Sequence, residues 1–577
     1  MASCAALLAA FYLLGWFSFQ THSPTIDEPL HAAAAYQHLF DHDFRVDAED
    51  PPLWQYWAMI PHHRGELLPG DPQLWRKQLN DPAYAAMITS QQLFETPGID
   101  GAAFINRSRA IMLLIGVLLG AAIAAWAWQL AGPVAAVIAC ALFAFDPNFL
   151  GHSPLVKNDV SLSFLLFCAA WASWSIGKRG RWWNILLLCL LCGMAAATKF
   201  SGLIVLPIVG AILLVRVFMS RNYFSRLATT IALGIAVIAA TYLTIWAAYG
   251  FRFGPTPSNG ELLNIDGQIS QLKQTLQYLR EGRWSSEAAV AAMPAPPIAK
   301  VILFAQSHQL LPQSWLYGFI FTYRTVMMRG TYLLGQYSET GWWYYFPLAM
   351  LFKTPLATLA AIALAAIFFR KAKLSGFWSL AALSIPLIVY GCSALSSHLN
   401  LGLRHVLPLY PFVYVLVGLV AAKLSDQRWF KPIAIGLGIV LVMETLLAFP
   451  HYISFFNAPS RPFRLNLLSD SNFDWGQDLP YVAQWQQQNP ATKLYLASFG
   501  TVDPAFYGIR YTNLPGGFFL NQNFEWPNEP GVIAISATIL QGVDVPPSLR
   551  KAYEPFRKHE PKEILGDTIY LYDWPLR

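Results

Sequence analysis

Residues 2–32 read ASCAALLAAFYLLGWFSFQTHSPTIDEPLHA. The stretch up to Phe19 carries no charge and has the length that a helix needs to cross about 30 Å of hydrocarbon. Asp27 and Glu28 follow at once, where such a span meets water. No Lys or Arg precedes the apolar run, so it reads as a retained anchor and not as a signal peptide. Carboxylates at this boundary can take a proton from a substrate arriving through water while a lipid-borne substrate arrives through the bilayer. Partial desolvation there is expected to raise a carboxyl pKa and make it a better general base.

Working outward, apolar stretches recur near 108–130, 132–147, 159–177, 182–197, 200–217, 226–249, 354–369, 376–394, 404–422 and 431–449. With the first they make about eleven spans. A chain of 577 residues that is 55% hydrophobic and only 12% charged, with mean hydropathy +0.39, has too much apolar surface for a soluble protein. Its charge is sorted by connection. If Met1 is cytoplasmic, that side receives Lys178, Arg179 and Arg181, then Arg216, Arg221 and Arg226, then Arg370, Lys371 and Lys373, then Lys423, Arg428 and Lys431, opposed by Asp426 alone. The other side receives the long loops 21–107 and 250–353 and everything after His451. The net charge of +6 is therefore a signal of topology and not of nucleic-acid binding. The six cysteines lie in or beside apolar runs, and the Cys189-x-x-Cys192 pair reads as packing within a helix.

The expected fold is an all-α polytopic membrane region, 1–450, followed by a small α/β domain at 451–577. Strand-like runs fall at 493–498, 531–536 and 568–572, and a helix near 476–488. Within the second loop, Ile265, Ile269, Leu272, Leu276 and Leu279 keep helical spacing, with Gln268, Lys273, Gln274 and Arg280 opposite, so an amphipathic helix is expected to pack on the outer face. Gly341-Trp-Trp-Tyr-Tyr-Phe-Pro347 forms an aromatic belt where the chain re-enters lipid.

Several ionisable residues stand at span ends on the side of the acidic pair. Asp159 closes the loop Asp146-Pro-Asn-Phe-Leu-Gly-His-Ser-Pro-Leu-Val-Lys-Asn-Asp159; it either lines a site or caps a helix. Lys199, Lys353, Arg404 and His405 oppose the positive-inside bias. Snorkelling to headgroups accounts for one such residue; taken together with the acids they describe a phosphate-holding site. Asp41-His-Asp43 is too short a match to assign metal or nucleotide-sugar binding. Asp470-Ser-Asn-Phe-Asp474 lacks the turn glycine and the bidentate Glu of a calcium loop, so capping of the 476–488 helix is its expected role.

In order and sidedness these pieces resemble the lipid-linked-sugar-dependent membrane glycosyltransferases of GT-C fold, in the branch with protein O-mannosyltransferases and the aminoarabinose transferase of lipid A. The resemblance rests on Asp27-Glu28, Asp50-Pro-Pro-Leu53, His152 to Asp159, Thr198-Lys199, Gly341 to Pro347 with Lys353-Thr-Pro355, and Gly402-Leu-Arg-His-Val-Leu-Pro-Leu-Tyr-Pro411. The tail Asp470 to Asp478 is similar to that of bacterial members of unassigned acceptor. The resemblance implies a GT-C-like membrane domain in the inner membrane with an extracytoplasmic C-terminal domain. It further implies Asp27 as the catalytic acid and basic residues on the donor phosphate. Where the aminoarabinose branch has Glu-Lys-Pro-Pro this chain has Glu49-Asp50-Pro51-Pro52, which shifts phosphate binding to Arg404, Lys353, Lys199 or Arg109.

The expected reaction is inverting sugar transfer from a polyprenyl-phosphate donor to an unidentified acceptor hydroxyl. Asp27 is the base, Glu28 or Asp159 orients the acceptor, and no cofactor is required. A divalent ion between Asp27 and Asp159 remains compatible with the sequence. Flipping or transport of a lipid-linked precursor is the alternative, since intramembrane charges also mark transporters. A scaffold or sensor with an extracytoplasmic domain is a third; unlike an enzyme it would tolerate neutral Asp27.

Overall fold

The computed structural model describes the chain except residues 68–81, 179, 259–261, 373, 375, 519–520, 522, 544 and 577. Arg179 and Lys373 of the basic connections thus lie outside the described residues. Each of the eleven apolar stretches is helical. Eight helices are long and apolar enough to cross a membrane, or nine when a bent pair counts as one span. The protein is a multi-pass helical membrane protein.

Local sequence accounts for how the spans are cut. Gly101–Ala144 is broken at Ala131 and Gly132, where Gly132 takes φ +80° immediately before Pro133. Only glycine adopts that conformation cheaply, and proline cannot continue the ladder. The break therefore separates the two spans read at 108–130 and 132–147. Tyr345–Lys353 and Leu356–Phe368 meet at 114° across Thr354-Pro355, with Thr354 extended as a residue before proline must be. Trp182–Ala196 is a shorter apolar helix that returns the chain to the end from which Asp159–Lys178 started.

The ends that carry Asp27, Asp159, Lys199 and Arg404 gather on one side of the bundle. Lys178, Arg216 and Lys423 stand at the opposite ends of helices that begin there. In the second long loop, Ile265–Glu281 packs on Gln313–Met327 through Ile265, Ile269 and Leu272. The expected faces are partly exchanged: Gln268 is buried and donates to the Tyr317 hydroxyl at 3.0 Å, while Leu276 and Leu279 are exposed. A short antiparallel hairpin, β1 (Thr331–Leu333) and β2 (Gln336–Ser338), follows.

Beyond the last span the chain builds a five-stranded mixed sheet from β3 (Leu494–Ala497), β4 (Thr512–Asn513), β5 (Gly531–Ser536), β6 (Glu563–Leu565) and β7 (Ile569–Trp574), ordered β4-β3-β5-β7-β6. β3 is parallel to β4 and β5; β7 is antiparallel to β5 and β6. Leu479–Gln488 supplies the helix expected near 476–488. This region is tied to the site end of the bundle: the Ser23 and Ile26 amides donate to the Gln477 and Trp475 carbonyls, both at 2.9 Å, and Thr501 Oγ1 donates to the Ile26 carbonyl at 2.9 Å.

Candidate active site

Asp27 lies at the start of the short helix Glu28–Tyr36, with Pro29 in its first turn. About 30% of its side chain is exposed, which sets it apart from Asp159, at 4%. Lys157 Nζ is 3.1 Å and Arg404 Nη1 is 3.8 Å from Asp27 Oδ2. Burial by itself would raise the Asp27 pKa, but Lys157 and Arg404 outweigh it and hold the carboxyl below the usual range. The rise expected from desolvation is thus reversed by the cations, and Asp27 stays ionised.

Asp159 opens its helix. Its carboxylate faces cations and does no capping: Lys199 Nζ donates to Oδ1, and Arg404 Nη1 is 3.5 Å from Oδ2. The guanidinium of Arg404 thus stands between the two carboxylates, within 3.8 Å of Asp27 and 3.5 Å of Asp159. That side chain is held on its far side too, donating from Nε to Ser471 Oγ at 3.1 Å and lying 4.4 Å over the Trp475 ring. The close approach needs Gly402, where a Cβ would come within 2.2 Å of Ser471 Oγ. The Leu403 amide donates to Asn472 Oδ1 at 2.8 Å. Residues 470–475 thus brace the Arg404 turn, which is a different job from the capping expected of them; Asp478 occupies the cap position of Leu479–Gln488 without a side-chain cap bond.

Lys157 was not singled out by the sequence. It also donates to His31 Nε2 at 2.6 Å and lies 3.7 Å from Asp50 Oδ2. His31 in turn donates from Nδ1 to Asp47 Oδ2 at 2.7 Å, which Gln55 Nε2 also reaches at 2.6 Å. Asn158 Nδ2 donates to Asp50 Oδ1 at 2.7 Å. Asp50 therefore helps to hold Lys157 in place. The available signal was a lysine two residues before Asp159, within the short loop that leads into that span.

Other expected residues stand apart from this set. Glu28 is buried, and its oxygens are fully occupied by Arg109 Nε at 2.9 Å, Arg109 Nη2 at 2.5 Å, the Thr25 amide at 2.8 Å, the Thr25 hydroxyl at 3.2 Å and the Val156 amide at 3.1 Å. Arg109 also donates to the carbonyls of Phe19, His22 and Ser23. A carboxylate so saturated has no lone pair for an acceptor, and a guanidinium so engaged has none of its reach left for phosphate. Together they fix the loop that carries Asp27. Lys353 is buried and donates to the carbonyls of Ile453 and Asn472, so it ties the 470s segment to the bundle. Asp43 is half-buried and paired with Arg45. All six cysteines are free, Cys189 and Cys192 included.

Beside the cluster is a cavity of about 380 Å³. Glu49, Asp50, Lys199 and His405 line its polar end; Ile204, Val326, Phe346, Tyr390 and Ala394 supply apolar wall. His405 Nε2 is buried without a hydrogen-bond partner, and the His405 carbonyl accepts from the Tyr390 hydroxyl at 2.9 Å. Two His/Asp groups among the described residues bring three potential ligand atoms close enough to share a cation: His31, Asp47 and Asp50, and His22, His451 and Asp478. In the first, Lys157 already supplies the positive charge.

No protein-family model and no curated protein matches the chain. Solved structures similar to it do exist. The apo oligosaccharyltransferase of Archaeoglobus fulgidus is 16% identical, with a TM-score of 0.43 over 91% of this chain and 62% of that one. This chain thus spans under two thirds of the archaeal protein. Apo ArnT of Cupriavidus metallidurans is 13% identical over 98% of this chain and 97% of that one, with a TM-score of 0.30; the same protein bound to undecaprenyl phosphate is 12% identical at the same TM-score.

Proposed function

We propose that this protein is a membrane glycosyltransferase that moves a sugar from a polyprenyl-phosphate donor to an acceptor hydroxyl on the extracytoplasmic face, with Asp27 as general base. The carrying observation is one accessible carboxylate flanked by Lys157 and Arg404 beside a cavity whose polar end holds Lys199 and His405 together with Glu49 and Asp50 and whose wall is apolar. Such a cavity suits a phosphate joined to an isoprenoid chain. Lys199 and His405 stand where the phosphate would lie, with Arg404 behind them.

The acceptor oxygen bonds to the anomeric carbon from the face opposite the phosphate, giving inversion. Its proton passes to Asp27, and the carbon–oxygen bond to phosphate breaks with its electron pair left on the phosphate. Fixed cations stabilise that developing charge, so no general acid is needed. The low pKa of Asp27 makes it a modest base, suited to accept the proton late, as the oxygen bonds to carbon. Asp159 orders Lys199 and Arg404. The motif order noted in the sequence supports the same reaction class and, through the family resemblance, the inner membrane; the placement of basic connections supports an external C-terminal region.

The test is product formation by full-length protein in nanodiscs, supplied with a panel of polyprenyl-phosphate sugars and a crude acceptor extract, wild type beside Asp27→Asn. Turnover of one donor by wild type, reduced about 10²- to 10⁴-fold in the variant, is expected for loss of a general base. If no donor is consumed and a labelled lipid-sugar crosses the bilayer equally well with both proteins, the transferase assignment fails.

A further inference from the structure

We propose that His22, His451 and Asp478 form a binding site for a divalent transition-metal ion of the zinc class, clasping the first span, the last span and the C-terminal sheet region together. His22 lies just beyond the first span, His451 just beyond the last, and Asp478 at the head of the helix Leu479–Gln488. The site is separate from the Asp27 cluster and independent of the reaction proposed above.

The three atoms point at one another. His22 Nε2 is 3.3 Å from His451 Nδ1 and 3.6 Å from Asp478 Oδ1; His451 Nδ1 is 4.0 Å from the same oxygen. Zinc binds imidazole nitrogen and carboxylate oxygen at about 2.0–2.2 Å, which sets the edges of a tetrahedron at about 3.3–3.6 Å. Two of the separations already have that length, and the third needs to shrink by a few tenths of an ångström.

Proton placement leaves lone pairs facing inward. The Thr21 hydroxyl donates to the Ser18 carbonyl at 2.8 Å, so it can only accept from His22. His22 Nδ1 therefore carries the ring proton and donates to the Ser18 carbonyl, also at 2.8 Å, which leaves Nε2 bare in the neutral ring. A carbonyl partner on the far nitrogen is the usual support of a metal-binding histidine. Asp478 is 1% exposed, its Oδ2 accepts from Thr568 Oγ1 at 2.7 Å, and its Oδ1 is buried with no hydrogen-bond donor. Even if His451 Nδ1 donates to His22 Nε2, that oxygen stays unsatisfied, and a buried polar atom without a partner is costly. One cation resolves all three atoms. Tyr481 walls the group, its ring centroid 6.0 Å from that of His22 and 5.0 Å from that of His451.

Two imidazoles and one carboxylate suit zinc better than magnesium or calcium, which prefer all-oxygen shells. The His22 carbonyl accepts from Arg109, the same side chain that fixes Glu28 beside Asp27. A clasp at His22 thus steadies the anchor of the Asp27 loop.

The test is zinc content by mass spectrometry on full-length protein in detergent, dialysed first against zinc chloride and then against metal-free buffer. About one zinc per chain is expected for wild type and for Asp50→Asn, which alters the other His/Asp group, and none for His451→Ala or Asp478→Asn. Chelator should lower the wild-type melting temperature and zinc restore it. Should the variants fold poorly, zinc-edge X-ray absorption on wild type decides: imidazole nitrogen and oxygen neighbours support the site, whereas a sulfur shell overturns it. Folded wild type that holds no zinc, or His451→Ala and Asp478→Asn proteins that keep it, also overturns it.

Discussion

Nζ of Lys157 lies 3.1 Å from Oδ2 of Asp27, so the proposed base is built with its own counter-ion. After burial, which acts the other way, Lys157 is the largest influence on the Asp27 carboxyl and pulls its pKa down. In Lys157→Met that pull is gone and the pKa should rise. Because the reaction needs the ionised carboxylate, the acid limb of kcat/KM against pH should then begin at a higher pH than in wild type. Profiles that superimpose would remove Lys157 from the tuning of Asp27.

Glu28 and Arg109 predict a loss of stability instead of a specific loss of chemistry. Both are about 1% exposed, and they are joined by two charge-assisted bonds. Removing one partner of a buried pair strands the other charge and typically costs about 3–5 kcal/mol. Arg109→Met should lose about that much, and Glu28→Gln with Arg109→Met should recover part of it, as read by unfolding in nanodiscs. A single variant that unfolds like wild type but lacks turnover would return Arg109 to the donor site.

The cations also divide by what they touch. Lys199 lines the cavity, whereas Lys353 is 1% exposed and spends its protons on two carbonyls. A hydrogen bond to a charged group contributes about 1.5–3 kcal/mol. Lys199→Ala should therefore lower kcat/KM for the donor by about 10- to 150-fold, with a smaller effect on melting temperature because Asp159 keeps Arg404 as a partner. Lys353→Met should lower the melting temperature and leave the donor KM near wild type. Steady-state kinetics beside thermal unfolding separates the two, and a reversal of the pattern would undo the assignment.

The helical nature of the apolar stretches, three of the five strands after residue 490 and the meeting of Asp27, Asp159, Lys199 and Arg404 were legible because hydropathy and sidedness are properties of the chain itself. Roles that depend on a distant partner were not. Glu28 looks like a second catalytic acid until Arg109, 81 residues away, is brought against it by the helix that begins at Gly101. Lys353 meets backbone carbonyls, which have no sequence signature. Burial is the largest single influence on the Asp27 carboxyl, yet two cations from other segments reverse its direction. His22 and His451 are 429 residues apart, and no local pattern joins them.

Glu49 gives the last prediction. It is half-buried in the wall of the cavity, and burial followed by the charges of Asp47 and Asp50 pushes its pKa up to about 7. In the unfolded chain the same carboxyl titrates near its ordinary value of 4.5. Where the folded pKa is the higher, the folded state binds the extra proton, so the contribution is complete below pH 4.5 and is lost as pH rises through about 7. Wild-type melting temperature should therefore carry a component that declines across that window. Glu49→Gln cannot ionise, so its curve should be flatter there, with the gap between the two proteins widening towards pH 7 and constant above it. Parallel curves in the two proteins would mean that Glu49 titrates as it does in the unfolded chain, and that the cavity is wetter and less crowded with acids than its lining indicates.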